Sequence, residues 1–314
     1  MQTKYTYKQI WLIAYPILIS LLMEQLIGMT DTAFLGRVGE VELGASAIAG
    51  VFYMVIFMVA FGFSIGAQIL IARRNGEQQY KEIGDLFYQG IYFQVGMAAV
   101  MFLLSYCFSP IILKRIVASE HIYEAATSYL HWRVFGAFFS FSAVMFRAFF
   151  LGTTQTKTLT LNSIVMVLSN VVFNYILIFG KRGLPALGGP GTGVATAIVY
   201  WVMFLTMVVY VCRHTYLREL MTWRVWEFPV WATLKKLAGI GFPGALAMLF
   251  EVTLFAAVAL PIAPPGAIQV AGHQVALNFS SLLFIVPLSI GTAATIRTGF
   301  ALGSKSVEAV RVAS

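Results

Sequence analysis

Three carboxylates, Glu24, Asp31 and Glu251, stand inside stretches of sequence that are otherwise apolar. An acid in an apolar spanning segment is costly and is a functional-site candidate by default. The chemistry open to such a group is to hold a small cation, Na+ or H+, and to let it go when its surroundings change. Burial supports this by raising a carboxylate's proton affinity towards the working pH. Glu24 and Asp31 are seven residues apart, which on an α-helix is about 700° of turn and roughly 10 Å of rise, so both lie on nearly one face. Asn170 and Asn174 are spaced i, i+4 and also share a face. Their amide oxygens can ligate a cation and their NH2 groups can donate to a carboxylate. His273, Gln274 and Asn278 form a third polar set, with Gln274 and Asn278 on one face. Each set has a plainer alternative. Asp31 could be a solvated or capping carboxylate at a membrane boundary, the asparagines could be small polar groups packing two helices, and His273 could be a hydrogen-bonding core residue.

The elements that must carry these residues are transmembrane helices. Of the 314 residues, 59% are apolar and only 11% charged, and the mean hydropathy is +0.82. A spanning helix needs about 20 predominantly apolar residues. Eight segments qualify: 10–32, 43–72, 87–109, 127–151, 159–180, 191–211, 237–262 and 270–302. None shows the polar face that a soluble helix needs, so the expected fold is an all-α integral membrane protein, a polytopic helix bundle. The first segment is too long for a secretory signal and has no small-residue cleavage site after it, so it reads as a retained helix. Pro16 within it removes one backbone hydrogen bond and is expected to kink it. Cys107 and Cys212 lie in or at the ends of apolar segments and are expected to pack between helices, with no metal site, disulfide or nucleophile.

The net charge of +8 could suggest nucleic acid, but its distribution argues for topology instead. With the N-terminus inside, the cytoplasmic segments hold 14 of the Lys and Arg residues. The outer segments hold five, Arg37, Lys114, Arg115, Lys181 and Arg182. That asymmetry is the positive-inside pattern, with both ends cytoplasmic. The remaining two, Arg133 and Arg147, fall within the fourth segment, and snorkelling to lipid headgroups is expected to account for Arg147.

The longest polar break, 214–236, carries Trp223, Trp226 and Trp231 and reads as a cytoplasmic linker. It divides a six-helix N-terminal lobe (1–213) from a partial C-terminal lobe (237–314) holding helices seven and eight. An internal repeat supports the division. Pro16 and Glu24 recur as Pro243 and Glu251 at an offset of 227, and Ser64-Ile65-Gly66 recurs as Ser289-Ile290-Gly291 at an offset of 225. A repeat of six helices keeps its orientation, so the two halves are parallel and a substrate site is expected between them.

No phosphate-binding glycine loop, zinc-protease motif or nucleophile elbow is present in the sequence, so the chain reads as no enzyme and any uphill transport must draw on an ion gradient. The motifs themselves resemble a family. Pro16-Ile-Leu-Ile-Ser with Met29-Thr-Asp31-Thr-Ala-Phe-Leu-Gly36-Arg, the stretch from Arg147 through Gly152 and Thr156 to Thr158, and Asn170-Val-Val-Phe-Asn174 followed by Gly188-Gly-Pro-Gly-Thr-Gly-Val-Ala-Thr196 are similar to the multidrug and toxic compound extrusion (MATE) transporters. Phe250-Glu251-Val-Thr-Leu-Phe and Ala271-Gly-His273-Gln-Val-Ala-Leu-Asn278 resemble the NorM branch.

The resemblance implies a twelve-helix, two-lobed antiporter of the cell inner membrane. Such a protein exports amphipathic, often cationic drugs or metabolites in exchange for Na+ or H+. Asp31, Asn170 and Asn174 would serve cation binding in the first lobe and Glu251 in the second. Glu24, His273, Gln274 and Asn278 are further candidates for cation or substrate. The chain is short for that pattern, reading as truncated after the eighth helix, and the tenth-helix aspartate that joins the seventh-helix glutamate in the family has no counterpart in it. Expected partners are membrane lipids, an amphipathic small molecule and the coupling cation, with no nucleic acid, no cofactor beyond that ion, and a monomeric state. The alternative is a lipid-linked precursor flippase of related design, which would line its cavity with Arg and Lys for pyrophosphate. An integral-membrane enzyme would need clustered His or acids at one interface, a pattern the sequence lacks.

Overall fold

The computed structural model describes residues 7–117, 119–181, 183, 185–220, 228–262, 267–304 and 310–311, without the side chains at 216, 219, 252, 255–262 and 267–278. Its elements are all helices among the described residues. In chain order they are α1 (Tyr7–Leu35), α2 (Glu40–Gly76), α3 (Tyr80–Ile116), α4 (Glu120–Phe135), α5 (Ala137–Gly152), α6 (Thr156–Phe179), α7 (Gly188–Arg213), α8 (Thr215–Leu220), α9 (Trp231–Ile262) and α10 (Ala267–Gly303). Among the described residues, six helices are long and apolar enough to cross a membrane, and α4 with α5 meets the same length and composition test only as a bent pair. Large apolar side chains on the outside, including Leu103, Leu168, Val172 and Leu205, are more than half exposed. An outer surface of that kind is suited to lipid, and the protein is a polytopic α-helical membrane protein.

The fourth apolar segment departs from expectation. It is two helices of 16 residues each, meeting at 50° around Gly136. A Cβ on Gly136 would stand 3.0 Å from Ala197 Cα on α7, so the bend lies where α7 packs against bare backbone. Both halves are apolar, and a hydropathy profile merges them. The second half, α5, is buried on nearly every side, from Ala137 through Phe141, Phe149 and Phe150 to Gly152. A helix that is apolar all round belongs in a core, and α5 is the central post of the first helix group. Around it α1 packs on α6, α6 on α7, α4 on α7 and α3 on α5.

α2 faces both ways. One side meets α4 and α5, the other α9 and α10. The seam with α9 depends on glycine. A Cβ on Gly66 would sit 2.7 Å from the backbone nitrogen of Gly241, one on Gly241 would sit 2.8 Å from Phe63 Cα, and Gly62 lies directly against the backbone of Ala245. Small residues allow helix backbones to approach closely where lipid supplies no hydrophobic drive. α10 continues the seam, with Gly303 and Phe300 against Arg73 and Gly76 at the end of α2. The contacts then stop. From Phe279 to Phe284 every side chain of α10 is exposed, as are Phe250, Glu251 and Leu254 of α9. The two helix groups therefore touch near the Tyr7 end of α1 and part towards its Leu35 end.

Three smaller features add detail to the expectations, and the cysteines correct one of them. α1 runs unbroken through Pro16, whose carbonyl accepts from the hydroxyls of Ser20 (2.9 Å) and Thr160 (3.0 Å); those bonds brace the turn. The expected linker 214–236 is partly helical, since it contains α8 and the first turns of α9, and residues 221–227, with Trp223 and Trp226, lie outside the described residues. Lys235 and Lys236 end the apolar run without ending the helix, because lysine is a good helix former. Cys107 and Cys212 are free and exposed, on the outer surface rather than between helices.

Candidate functional site

Asp31 on α1 meets α6 inside the first helix group. Its Oδ1 accepts hydrogen bonds from Asn170 Nδ2 at 2.9 Å and Asn174 Nδ2 at 2.7 Å. The i, i+4 spacing produces this geometry by pointing both amides at α1 from adjacent turns. Both asparagines are fully buried, and with their NH2 groups turned to Asp31 their Oδ1 atoms are left buried without a hydrogen-bond partner. An unsatisfied buried polar group costs about 1–3 kcal/mol. Two such oxygens beside a carboxylate form a cluster of hard acceptors, the chemistry that suits Na+. Protonation of Asp31 would relieve the charge in another way.

Asp31 and Asn170 line a cavity of about 260 Å³ together with Glu24, Asn162, Thr196 and Tyr200. Asn162 lies on the same four-residue register of α6 as Met166, Asn170 and Asn174, and its Oδ1 is likewise buried and unpartnered. That register was the available signal for Asn162, which sequence reasoning passed over. Thr196 was visible only as the end of a glycine-rich motif. Met166, Met203, Met207, Phe57 and Phe61 also line it, which identifies the aromatic and methionine residues that face a cavity.

Both intramembrane arginines also line this cavity, and neither snorkels. Arg133 lies in the last turn of α4, where the partial negative charge of a helix C-terminus favours a cation. Its guanidinium sits over the rings of Tyr53 (4.7 Å) and Tyr129 (5.5 Å) and donates to the Tyr129 hydroxyl. It is also close enough to act electrostatically on Asp31. Arg147 on α5 donates from Nη1 to Glu24 Oε1 and lies 5.6 Å above the Phe61 ring. Its side chain is 13% exposed and that of Glu24 39%. Glu24 is therefore an ion-pair partner in this structure, and the cavity holds two acids against two bases. The expectation of acids with few bases is corrected by three-dimensional packing, since Arg147 and Glu24 are 123 residues apart in the chain.

A second cavity, of about 400 Å³, lies between the helix groups. It is lined by Leu21, Ser64 and Gln68 on one side and Met248, Phe284 and Thr292 on the other. Phe61 and Arg147 border both cavities. Glu251 lines neither of them. It lies three residues past Met248, on the same face of α9, one turn beyond the interlobe cavity, and is exposed. The structure does not bring it to Asp31. The side chains of His273, Gln274 and Asn278 lie outside the described residues. Among the described residues there is no cluster of three or more His, Cys, Asp or Glu side chains suited to a metal ion.

Two helix groups that meet over a glycine seam and part around a cleft have counterparts among known proteins. The MatE family model matches residues 16–176 and 243–314. The chain belongs to the MatE family. It is 37% identical over 302 residues to the multidrug resistance protein MdtK of Edwardsiella ictaluri, covering 96% of this chain and 66% of that one. It is 38% identical over 305 residues to MdtK of Yersinia pseudotuberculosis, with the same coverages. It thus spans slightly under two thirds of the length of these relatives. Among solved structures, the eukaryotic MATE transporter AtDTX14 superposes with a TM-score of 0.87 at 23% identity over 98% of this chain and 67% of that one. An outward-facing multidrug resistance MATE transporter gives 0.85 at 22%, with the same coverages. At those identities the structural match speaks for the fold.

Proposed function

We propose that this chain supplies the first lobe and part of the second of a secondary active transporter, one that exports amphipathic, often cationic drugs or metabolites in exchange for Na+ or H+. The observation that carries the reading is Asp31, held by two buried amides whose own oxygens are left open to a cation. In this reading Asp31, Asn170 and Asn174 bind the coupling ion in the first lobe. Glu251 offers a second carboxylate at the edge of the interlobe cleft. The ion is the only cofactor-like group required.

The protein sits in the cell inner membrane with both described ends cytoplasmic, as the distribution of Lys and Arg favours. The seam of α2 with α9 and α10 then closes the cytoplasmic side, and the cleft opens outward. Ion binding from outside favours release of substrate there, and rocking of the lobes carries the site back. The names of the MdtK relatives, which are multidrug resistance proteins, support the substrate class, and they favour this reading over a flippase. Transport by the intact protein in vesicles tests it. An imposed Na+ or pH gradient should drive dye efflux, and Asp31→Asn should abolish the dependence on that gradient. Full coupled efflux by both Asp31→Asn and Glu251→Gln would reject the assignment.

A further inference from the structure

A third cavity, of about 520 Å³, lies in a groove between α3 and α4 and shares no lining residue with either cavity above. Its walls are aromatic and turned outward: Tyr106 of α3 and Trp132 and Phe135 of α4 are each about half exposed. A groove that met only hydrocarbon chains would need no polar groups, yet Glu124, Thr127 and His131 of α4 line this one. The Thr127 hydroxyl and His131 Nε2 are buried and have no hydrogen-bond partner. His131 is held edge-on to the Tyr106 ring, with centroids 4.4 Å apart. Thr127 differs from other helical threonines in the chain. Thr30, Thr32, Thr196 and Thr206 each donate to the carbonyl four residues earlier, and Thr127 does not. Polar atoms at membrane depth need a partner because the bilayer core supplies no water.

The lining groups are ordered along α4, which begins at Glu120. Steps of three or four residues, about 5 Å each, lead from Glu124 to Thr127 and Ser128, on to His131, and then to Phe135. Such positions share one face of a helix. The end nearest the helix terminus thus offers a carboxylate, the middle two hydroxyls, the next turn an imidazole, and the deep end aromatic rings. A phospholipid with an ammonium in its head group carries matching groups in the same order: a cation, a phosphate, ester carbonyls and acyl chains. Tyr123, next to Glu124 in the lining, adds an aromatic face for the cation. The hydroxyls of Thr127 and Ser128, and His131 in the tautomer with its proton on Nε2, can donate to phosphate and ester oxygens.

We propose that this groove holds one phospholipid with an ammonium-bearing head group. Glu124 reads the ammonium, Thr127 and His131 take the oxygens beneath it, and Trp132 and Phe135 support an acyl chain. An anionic phospholipid brings Glu124 no cation, so the groove discriminates between head groups. With both described ends cytoplasmic, as proposed above, the lipid belongs to the outer leaflet. The site lies outside the ion and substrate spaces and does not depend on antiport.

Trp132 is a reporter already in the groove. Nanodiscs of phosphatidylglycerol are prepared with one lipid in ten replaced by acyl-brominated phosphatidylethanolamine, or by phosphatidylglycerol brominated in the same way. Both bring the same quencher to the intact protein under different head groups. The contribution of Trp132 is the difference from a Trp132→Phe protein in the same background. One hydrogen bond to an ionised group corresponds to a preference of about tenfold or more. At that preference the brominated lipid fills the groove about half the time instead of about one time in ten, so quenching should be about fivefold greater with phosphatidylethanolamine. Glu124→Gln should make the two lipids equal, whereas Glu40→Gln, at another exposed acid at the start of α2, should leave the excess. Equal quenching in the unaltered protein would overturn the proposal, as would an excess that survives Glu124→Gln. Glycerophosphoethanolamine, the head group without chains, should not remove the excess; removal would assign the groove to a soluble ligand and reject the lipid. Native mass spectrometry tests the deeper contacts. The unaltered protein should retain one phosphatidylethanolamine through detergent exchange, and a Thr127→Val, His131→Leu protein should lose it. Undiminished retention would reject the site as drawn.

Discussion

Asp31 and Glu251 occupy similar sequence contexts, each an acid in an apolar helix, yet their surroundings differ. Asp31 accepts from two buried asparagines of a neighbouring helix in its own group. Glu251 is exposed on α9, past the point where that helix leaves α2, and has no hydrogen bond or ion pair among the described residues. An acid in an apolar segment therefore marks a site only together with what answers it. The first site is prebuilt within one packed group. The second stands at the edge of a cleft, where its surroundings depend on how the two groups are placed. Glu24 is a third case, an acid answered by a base, Arg147, from a distant stretch of the chain.

The comparison can be broken at several points. The largest effect is expected at Asp31→Asn, which should remove gradient dependence from efflux altogether, whereas Glu251→Gln should leave a residual coupling carried by the first lobe. Vesicle efflux under an imposed gradient checks both. Next comes the seam on which the cleft depends. Gly62→Leu would drive a side chain into the backbone of Ala245, and overpacking of this kind costs about 1–3 kcal/mol. It should separate α9 from α2 and lower the thermal unfolding midpoint in detergent, while the Asp31 site, built inside one group, keeps its ion affinity.

Within the first site, Asn170→Ala deletes one of the two buried amide oxygens left open to a cation, a contact to a charged group worth about 1.5–3 kcal/mol. Cation affinity measured by calorimetry should fall about 10- to 100-fold, and Asn162→Ala, one register further along α6 and not bonded to Asp31, should fall less. The smallest effect lies outside the membrane, at the turn after α2. Burial alone would raise the Glu77 carboxyl, but hydrogen bonds from Arg74 and Arg73 outweigh it and hold the group below the ordinary glutamate range. Its stabilising contribution is present above about pH 4.3, the unperturbed value, and is lost as the pH falls through the lowered one. For a surface pair it is worth at most about 1 kcal/mol. A Glu77→Gln protein should show a correspondingly shallower loss of stability on acidification, with cation binding at Asp31 unchanged.

Much of this was legible in the sequence, for identifiable reasons. Apolar runs long enough to span mark the helices without help from tertiary contacts. The Asp31 cluster could be read because the i, i+4 spacing of Asn170 and Asn174 is a local fact, and the motifs around it resemble one family. What escaped depends on long-range packing. The break at Gly136 is set by the approach of Ala197 on α7, and nothing in the apolar run from 127 to 151 announces it. Arg147 has a phenylalanine-rich neighbourhood that suits a snorkelling side chain as well as a buried one, and only the fold brings Glu24 to it. Arg133 needed three tyrosines from separate stretches of chain, Tyr53, Tyr129 and Tyr200, to make a cage.

The central claim is that Asp31, with the oxygens of Asn170 and Asn174, takes up and gives back a small cation independently of Glu251. Na+ and proton uptake by the purified intact protein, measured calorimetrically in a Glu251→Gln background with and without Asp31→Asn, isolates that site. The account predicts stoichiometric uptake of one of the two ions in the single variant and none in the double. Equal uptake by both proteins would contradict it.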